Sequence, residues 1–375
     1  MDPLIETPVL RSEREQQQVL HSFRTSRIVI PVLVGLGVAV WFFLRDFDLA
    51  QFRSIRWTGT AFFWIGASVM LLVIRHQFYS FRLRSVTAGA LSWRKCIEMI
   101  VIWEFSAALT PTSKGGPFVM LFVLTREGLS AGRTAAAVFY TMICGAGFFI
   151  LTLPLLLAVY GPPMLFPGLQ TFHDGGEKGA AVVAFFVTYS LMFCYWIALM
   201  FLLLVKPHLA ESALGWLSKR RLLRRWEPKI RRLGDEFAHA ADEIRMQNWK
   251  YHLRMILGTL GAWTSKFLMI NCLIIAIVPE TPFDGFTQAF IYSRMVAMFT
   301  IMSFSPTPGG AGIAELLMIR YISDYAPESI AFVVAMLWRG LAYYGYLLLG
   351  AVVTPAWVAR KVALAKKKHA MEEAQ

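Results

Sequence analysis

Two polar clusters interrupt stretches of this chain that are otherwise apolar enough to cross a membrane: LTPTSKGGP at residues 109–117 and SPTPGGAG at 305–312. Their glycines, Gly115 and Gly116 in the first and Gly309, Gly310 and Gly312 in the second, free the backbone for tight turns and leave its N–H groups bare. Bare donors at the start of a half-helix make a ready phosphate site, and Lys114 adds a cation to the first one. The same glycines also suit close helix packing. Both uses stand open at this level.

An ionisable residue inside an apolar segment costs about 2.5–3.5 kcal/mol on insertion scales, so each one needs a reason. Glu98, Glu104 and Lys114 lie in the first interrupted segment, Arg294 and Glu315 in the second, and Lys266 and Arg339 in two further apolar runs. Glu315 falls in the first turn of a helix after PTPGGAG, where unpaired N–H groups and the helix dipole favour a carboxylate. It fits two roles: a cap that fixes the turn, or a site for a proton or a cationic head group. Glu104 presents the same choice. Arg294 and Arg339 are placed to pair with Glu315 or Glu104, while Lys266 and Asn271 are expected to face the interior of a helix bundle. Arg126, in TREGLS at the end of the first segment, fits either an interfacial snorkelling residue or a phosphate gate.

The elements that position these residues follow from composition. Of 375 residues, 57% are hydrophobic and 16% charged, which marks an integral membrane protein, since soluble domains carry nearer a quarter charged. The net charge of +13 reads as basic residues retained on the cytoplasmic side and not as nucleic-acid binding. The polar first 27 residues carry both charge signs, and no signal peptide is expected there. Cys96, Cys144, Cys194 and Cys272 all sit in apolar segments and read as small buried hydrophobes without a disulfide framework. FHDGGE at 172–177 reads as a solvated loop, and neither a metal nor a cofactor is expected.

Hydropathy places uninterrupted spans near 28–44, 57–74, 134–160, 180–205, 255–278 and 330–357, each about as long as a hydrocarbon core requires. The interrupted segments, 96–125 and 287–322, behave differently. The connections 75–95, 126–133 and 206–254 and the tail 358–375 are basic, whereas the loops 161–179 and 279–288 hold Lys178 as their single basic residue. Positive-inside therefore places both termini and the basic connections in the cytoplasm, with the arginine-bearing 45–56 loop outside. The segment 96–125 must then enter from the cytoplasm and return, and 287–322 must enter from outside and return. The expected fold is an all-α polytopic membrane protein of about six full spans plus two opposed re-entrant hairpins. PTSKGG from Pro111 and PTPGG from Pro306 echo one another, as an inverted repeat would require. The expected organisation is a cytoplasmic segment 1–27, a first membrane region 28–205 whose second repeat begins at 180, a basic linker 206–254, the remaining membrane region 255–357 and a basic tail 358–375. Within the linker, residues 217–237 interleave Leu, Trp and Ile with arginines and read as an amphipathic helix on the anionic inner leaflet.

ALTPTSKGGPFVMLFVLTREGLSAGRTAAAV (108–138) and SPTPGGAGIAE (305–315), in this order and separated by a basic linker, resemble the lysylphosphatidylglycerol synthase transmembrane-region family, also called UPF0104. The resemblance spans roughly residues 25–360. It implies a polytopic bacterial inner-membrane protein connected with moving lipids or lipid-linked intermediates between leaflets. The bifunctional members continue into a soluble aminoacyl-transfer domain, whereas only a short basic tail is expected here after the last span; lysylation is therefore not implied.

Three function classes follow. The first is a flippase-like lipid translocase that holds a lipid phosphate between the two Gly-rich tips, with Lys114, Gly115, Gly116, Arg126, Gly309, Gly310, Arg294 and Arg339 as contacts and Glu315 or Glu104 for coupling. No Walker-type loop is present, so ions, membrane potential or a downstream sink would drive it. The second is an accessory subunit presenting membrane lipid to a glycosyltransferase or head-group-modifying enzyme. The third, an embedded enzyme, lacks both a metal-spaced His/Asp/Glu set and a serine elbow.

Overall fold

Helix follows hydropathy along this chain. The structure, a computed structural model, describes residues 57–110, 115–167, 175–219, 226–303 and 312–373, with Arg53, Ile55, Ser305, Thr307, Gly309 and Gly310. The expected span 28–44, the segment 1–27, Lys114 and the FHD of FHDGGE lie outside the described residues. In order, the helices are α1 (Gly59–Val86), α2 (Trp93–Leu109), α3 (Gly115–Arg126), α4 (Ala131–Tyr160), α5 (Gly175–Met200), α6 (His208–Ser218), α7 (Glu227–Arg245), α8 (Trp249–Ile277), α9 (Gly285–Met302), α10 (Ile313–Tyr321), α11 (Glu328–Arg339) and α12 (Gly345–Glu373). A π turn, Gly340–Tyr344, joins α11 to α12. Among the described residues, five stretches are long and apolar enough to cross a membrane: Gly59–Val86, Ala131–Tyr160, Val182–Val205, Trp249–Ile277 and Glu328–Leu364. Several starts are written in the sequence: the side chains of Thr58, Ser130, Asn248 and Asp284 accept hydrogen bonds from the N–H groups three residues on.

Helices α2 and α3 have 17 and 12 residues, about 25 and 18 Å at 1.5 Å per residue, and each falls short of a full crossing. They form one hairpin. At its base, Lys95 Nζ lies 2.8 Å from Glu127 Oε2; at its tip, the Gly115 N–H donates to Thr110 Oγ1 over 2.8 Å. Helices α9 and α10 form the second hairpin, closed where Arg294 pairs with Asp324 and donates to the Tyr321 carbonyl. The two bases sit at opposite ends of α4. The first runs directly into Ser130, the α4 N-cap, while Phe286 and Phe290 of the second pack on Tyr160 at the α4 C-terminus.

Helices α1 and α8 pack antiparallel along their length at the centre. Ser68 Oγ donates to the Met269 carbonyl and Arg82 Nη1 to Thr259 Oγ1, each over 3.2 Å. A Cβ at Gly261 would come within 2.5 Å of the Phe78 ring, so this close approach depends on glycine. In the inverted-repeat scheme α1 and α8 are equivalent spans, and antiparallel contact between them is what that symmetry demands.

Three expectations need correction. The region from residue 75 is not a loop, because α1 continues to Val86 and buries Arg75 and Arg82. Within the basic linker, α7 turns its apolar side to protein and not to a leaflet, with Phe237 packed on Phe139 of α4, Gly132 against the Glu236 backbone and Arg133 paired with Glu243, while residues 220–225 of the expected amphipathic helix lie outside the described residues. The linker tryptophans Trp216 and Trp226 remain exposed. Cys96 and Cys272 are buried and Cys144 half-buried, but Cys194 is exposed on α5.

The base of the first hairpin is tied to α12. Glu127 Oε1 lies 2.6 Å from Lys361 Nζ and accepts from the Trp357 indole N–H at 2.9 Å, and Arg360 pairs with Glu98. Burial of Glu127 would raise its pKa, but Lys361, Lys95 and Trp357 outweigh burial and hold the carboxyl below its ordinary value. A depressed folded pKa stabilises above the unfolded value, about 4.3 for Glu, and that contribution is lost as pH falls through the folded value. Thermal unfolding in detergent at stepped pH is expected to show Glu127→Gln melting below wild type at pH 7, with the gap closing at acidic pH. A constant gap would dissociate Glu127 from ionic clamping.

Candidate functional site

Arg75, Tyr79 and Arg82 stand at i, i+4 and i+7 on α1, so one helix face carries all three. Facing them are Trp103, Glu104 and Ala107 of α2, Thr141, Met142 and Gly145 of α4, and Trp263 and Lys266 of α8, around a cavity of about 240 Å³. Its depth follows from helix geometry. Arg75 lies eleven residues before the end of α1 and Glu104 eleven residues after the start of α2. Both are thus about 16 Å from the level where those helix ends meet, near the middle of a hydrocarbon core of about 30 Å. Lys266 comes to the same level. From the Arg82–Thr259 contact, seven residues along each antiparallel helix lead to Arg75 and to Lys266.

The charges in this cavity are only partly compensated. Arg75 Nη2 donates to Glu104 Oε2 over 2.8 Å, and the guanidinium carbons of Arg75 and Arg82 each lie 4.9 Å from the Tyr79 ring centroid. Nε and Nη1 of Arg75 and Nε of Arg82 are buried and lack a well-formed hydrogen bond among the described residues. Lys266 Nζ sits 4.1 Å from the Phe299 ring centroid and 4.9 Å from that of Trp263, both cation–π contacts. His76, beside Arg75, meets the Tyr346 hydroxyl at 3.0 Å.

One turn beyond Glu104 the two hairpin tips converge on the π turn. Gly309, Gly310 and Gly312 all have positive φ, at 56°, 74° and 82°. A Cβ at Gly309 would lie 2.0 Å from the Tyr343 ring. The Tyr343 hydroxyl donates to the Ala108 carbonyl of the first hairpin over 3.2 Å, and Phe105, Ala108, Tyr343 and Leu347 form a small apolar cluster there. Arg339 Nη1 donates to the Gly309 carbonyl over 2.7 Å, Arg339 Nε lies 3.0 Å from Glu315 Oε1, and Glu315 Oε2 accepts from the Gly312 N–H at 2.7 Å. The Arg339 guanidinium stacks 3.9 Å above the Tyr343 ring.

These contacts locate the residues singled out from sequence. Glu315 caps the tip and pairs with Arg339, Glu104 pairs with Arg75, and Arg294 pairs with Asp324. The Gly115 and Gly310 N–H groups are taken by Thr110 and by the Thr307 carbonyl, and a Cβ at Gly116 would meet Trp103 at 2.8 Å. Arg126 closes α3 over the Phe122 ring, with its carbonyl accepting from Lys361. Asn271 is buried and donates to Gln288, and Lys266 faces the cavity. Sequence reasoning missed Arg75, Arg82 and Tyr343. The signal for the two arginines was their spacing with Tyr79 in VIRHQFYSFRLRSV, which continues a helix face beyond the last apolar residue. Nothing local marks Tyr343.

Spanning helices, two opposed hairpins and a charged cavity at mid-depth define a multi-pass membrane protein of the inverted-repeat kind. The chain matches the lysylphosphatidylglycerol synthase TM region family over residues 28–350 and belongs to that family. It is also 25% identical over 274 residues to a UPF0104 membrane protein of Archaeoglobus fulgidus, an alignment covering 70% of this chain and 76% of that protein. No solved structure matches it.

Removing one partner of a buried ion pair strands the other, at about 3–5 kcal/mol. Arg339→Gln is expected to destabilise the fold by an amount of that order, read as a lower unfolding midpoint in detergent, because the Glu315 side chain is 7% exposed. Adding Glu315→Gln should restore a large share. Equal loss in the single and double variants would mean that the pair does not hold the tip.

Proposed function

We propose that this protein is a flippase-like translocase that moves a phosphate-bearing lipid between the leaflets of a bacterial inner membrane, with both termini cytoplasmic. The observation that carries the reading is the cavity holding Arg75, Arg82, Lys266 and Glu104 beneath the meeting point of two opposed hairpins. A phosphate head group cannot cross hydrocarbon unaided, for the reason a buried charge is rare there. Fixed cations at mid-depth offset its lost hydration, while the tails remain in lipid. Arg75 and Arg82 provide planar N–H donors suited to phosphate oxygens, and Lys266 provides a mobile point charge.

Sequence reasoning put the phosphate at the glycine tips. Because the Gly115, Gly310 and Gly312 N–H groups already have partners, this reading moves the main head-group contact to the side chains one turn away. Tyr343, between the tips, is the barrier that must part for the head group to pass. Glu104, already on Arg75, is the natural group to exchange partners when phosphate enters.

The test is reconstitution in liposomes carrying fluorescent lipids of differing head group, followed with a membrane-impermeant quencher. Wild type is expected to equilibrate at least one anionic lipid, and Lys266→Gln to slow it about tenfold or more, as loss of a charged contact predicts. Arg133→Gln, on the surface at Glu243, should behave as wild type. Folded protein that moves none of the lipids would overturn the translocase reading in favour of an accessory subunit that presents lipid to a glycosyltransferase or head-group-modifying enzyme.

A further inference from the structure

The charge of the cavity indicates what kind of phosphate it takes. Three cationic side chains, Arg75, Arg82 and Lys266, line it against one carboxylate, Glu104, a formal excess of two positive charges. Arg75 and Arg82 are 2% and 7% exposed. Between them they hold three nitrogens without a well-formed hydrogen bond among the described residues, and Lys266 faces aromatic rings. Such an excess at mid-depth is costly unless a ligand completes it.

We infer that the cavity recognises a terminal phosphomonoester, the phosphate form with two negative charges and three free oxygens. A phosphodiester offers one charge and two free oxygens, so it leaves one cation uncompensated and one donor set unfilled. A zwitterionic or lysine-esterified head group brings further ammonium charge into a site that is already cationic, and repulsion rejects it. Charge and donor count thus select a lipid phosphate in which the phosphorus carries a single ester bond. This deepens the translocase reading and rests on it only for the claim that the phosphate arrives on a lipid.

The test is binding to the purified full-length chain in detergent by titration calorimetry, with short-chain phosphatidic acid, phosphatidylglycerol, phosphatidylcholine and inorganic phosphate as probes. Phosphatidic acid is expected to bind at least tenfold more tightly than phosphatidylglycerol, and phosphatidylcholine more weakly still. Lys266→Gln should reduce that preference about tenfold. It breaks no hydrogen bond among the described residues, and an unchanged unfolding midpoint would confirm its fold. Arg133→Gln should keep the preference.

Equal affinity for phosphatidic acid and phosphatidylglycerol, or a preference that survives Lys266→Gln, would overturn the inference. Inorganic phosphate binding as tightly as phosphatidic acid would overturn the lipid assignment and leave a free-phosphate site. A phosphomonoester preference in protein that transports nothing would sink the translocase reading alone. Transport without that preference would sink this inference alone.

Discussion

A chain that leaves the helix at membrane depth has no water to satisfy its backbone, and here one guanidinium makes good much of the deficit. Arg339 bonds the Gly309 carbonyl, pairs with the carboxylate that caps the Gly312 N–H, and covers the ring of Tyr343. Tyr343 in turn reaches the Ala108 carbonyl in the opposite hairpin. The two hairpins enter from different ends of the bundle, yet their tips share one point of support. The remaining helices are arranged so that α11 can deliver that arginine.

The ionisable groups at depth divide into two systems of different character. Arg339 with Glu315 is balanced in charge, and both partners have further bonds around them, although Nε and Nη2 of Arg339 also lack a well-formed hydrogen bond among the described residues. The Arg75, Arg82, Lys266 and Glu104 group is not balanced: cations outnumber the carboxylate. A buried pair of the first kind specifies conformation more than it adds stability. An excess of the second kind is costly at membrane depth, which is why ionisable residues there are rare and face a bundle interior or cavity.

Much of the fold was legible because length and hydropathy decide it. The runs at 134–160, 180–205 and 255–278 became helices close to those limits, 330–357 became helix that continues to Glu373, and the helices flanking both proline–glycine clusters are half-length. The misreading of residues 75–86 has a physical source. Arginine and histidine lower local hydropathy whether they meet water or line a cavity, and only the spacing of Arg75, Tyr79 and Arg82 separates the two. The linker failed for a related reason: amphipathy shows that α7 has an apolar face, not whether lipid or α4 covers it. The carboxylates were recognised as needing partners, but Glu104 to Arg75 and Glu315 to Arg339 are choices made by tertiary packing. Tyr343 is invisible locally because its role comes from two hairpins far away in sequence.

The π turn at Gly340–Tyr344 gives the last span two phases. One extra residue in a helical turn advances everything after it by about 100° relative to a regular helix. Before the slip, Trp338 and Arg339 face the second hairpin; after it, Leu347 and Gly350 meet Phe105, and Trp357 and Lys361 hold Glu127, all in the first. A uniform helix keeps a single stripe in register with one neighbour. By slipping phase midway, a single rod can mesh with two partners that approach it from opposite directions, and so acts as a coupling shaft between the halves of the molecule.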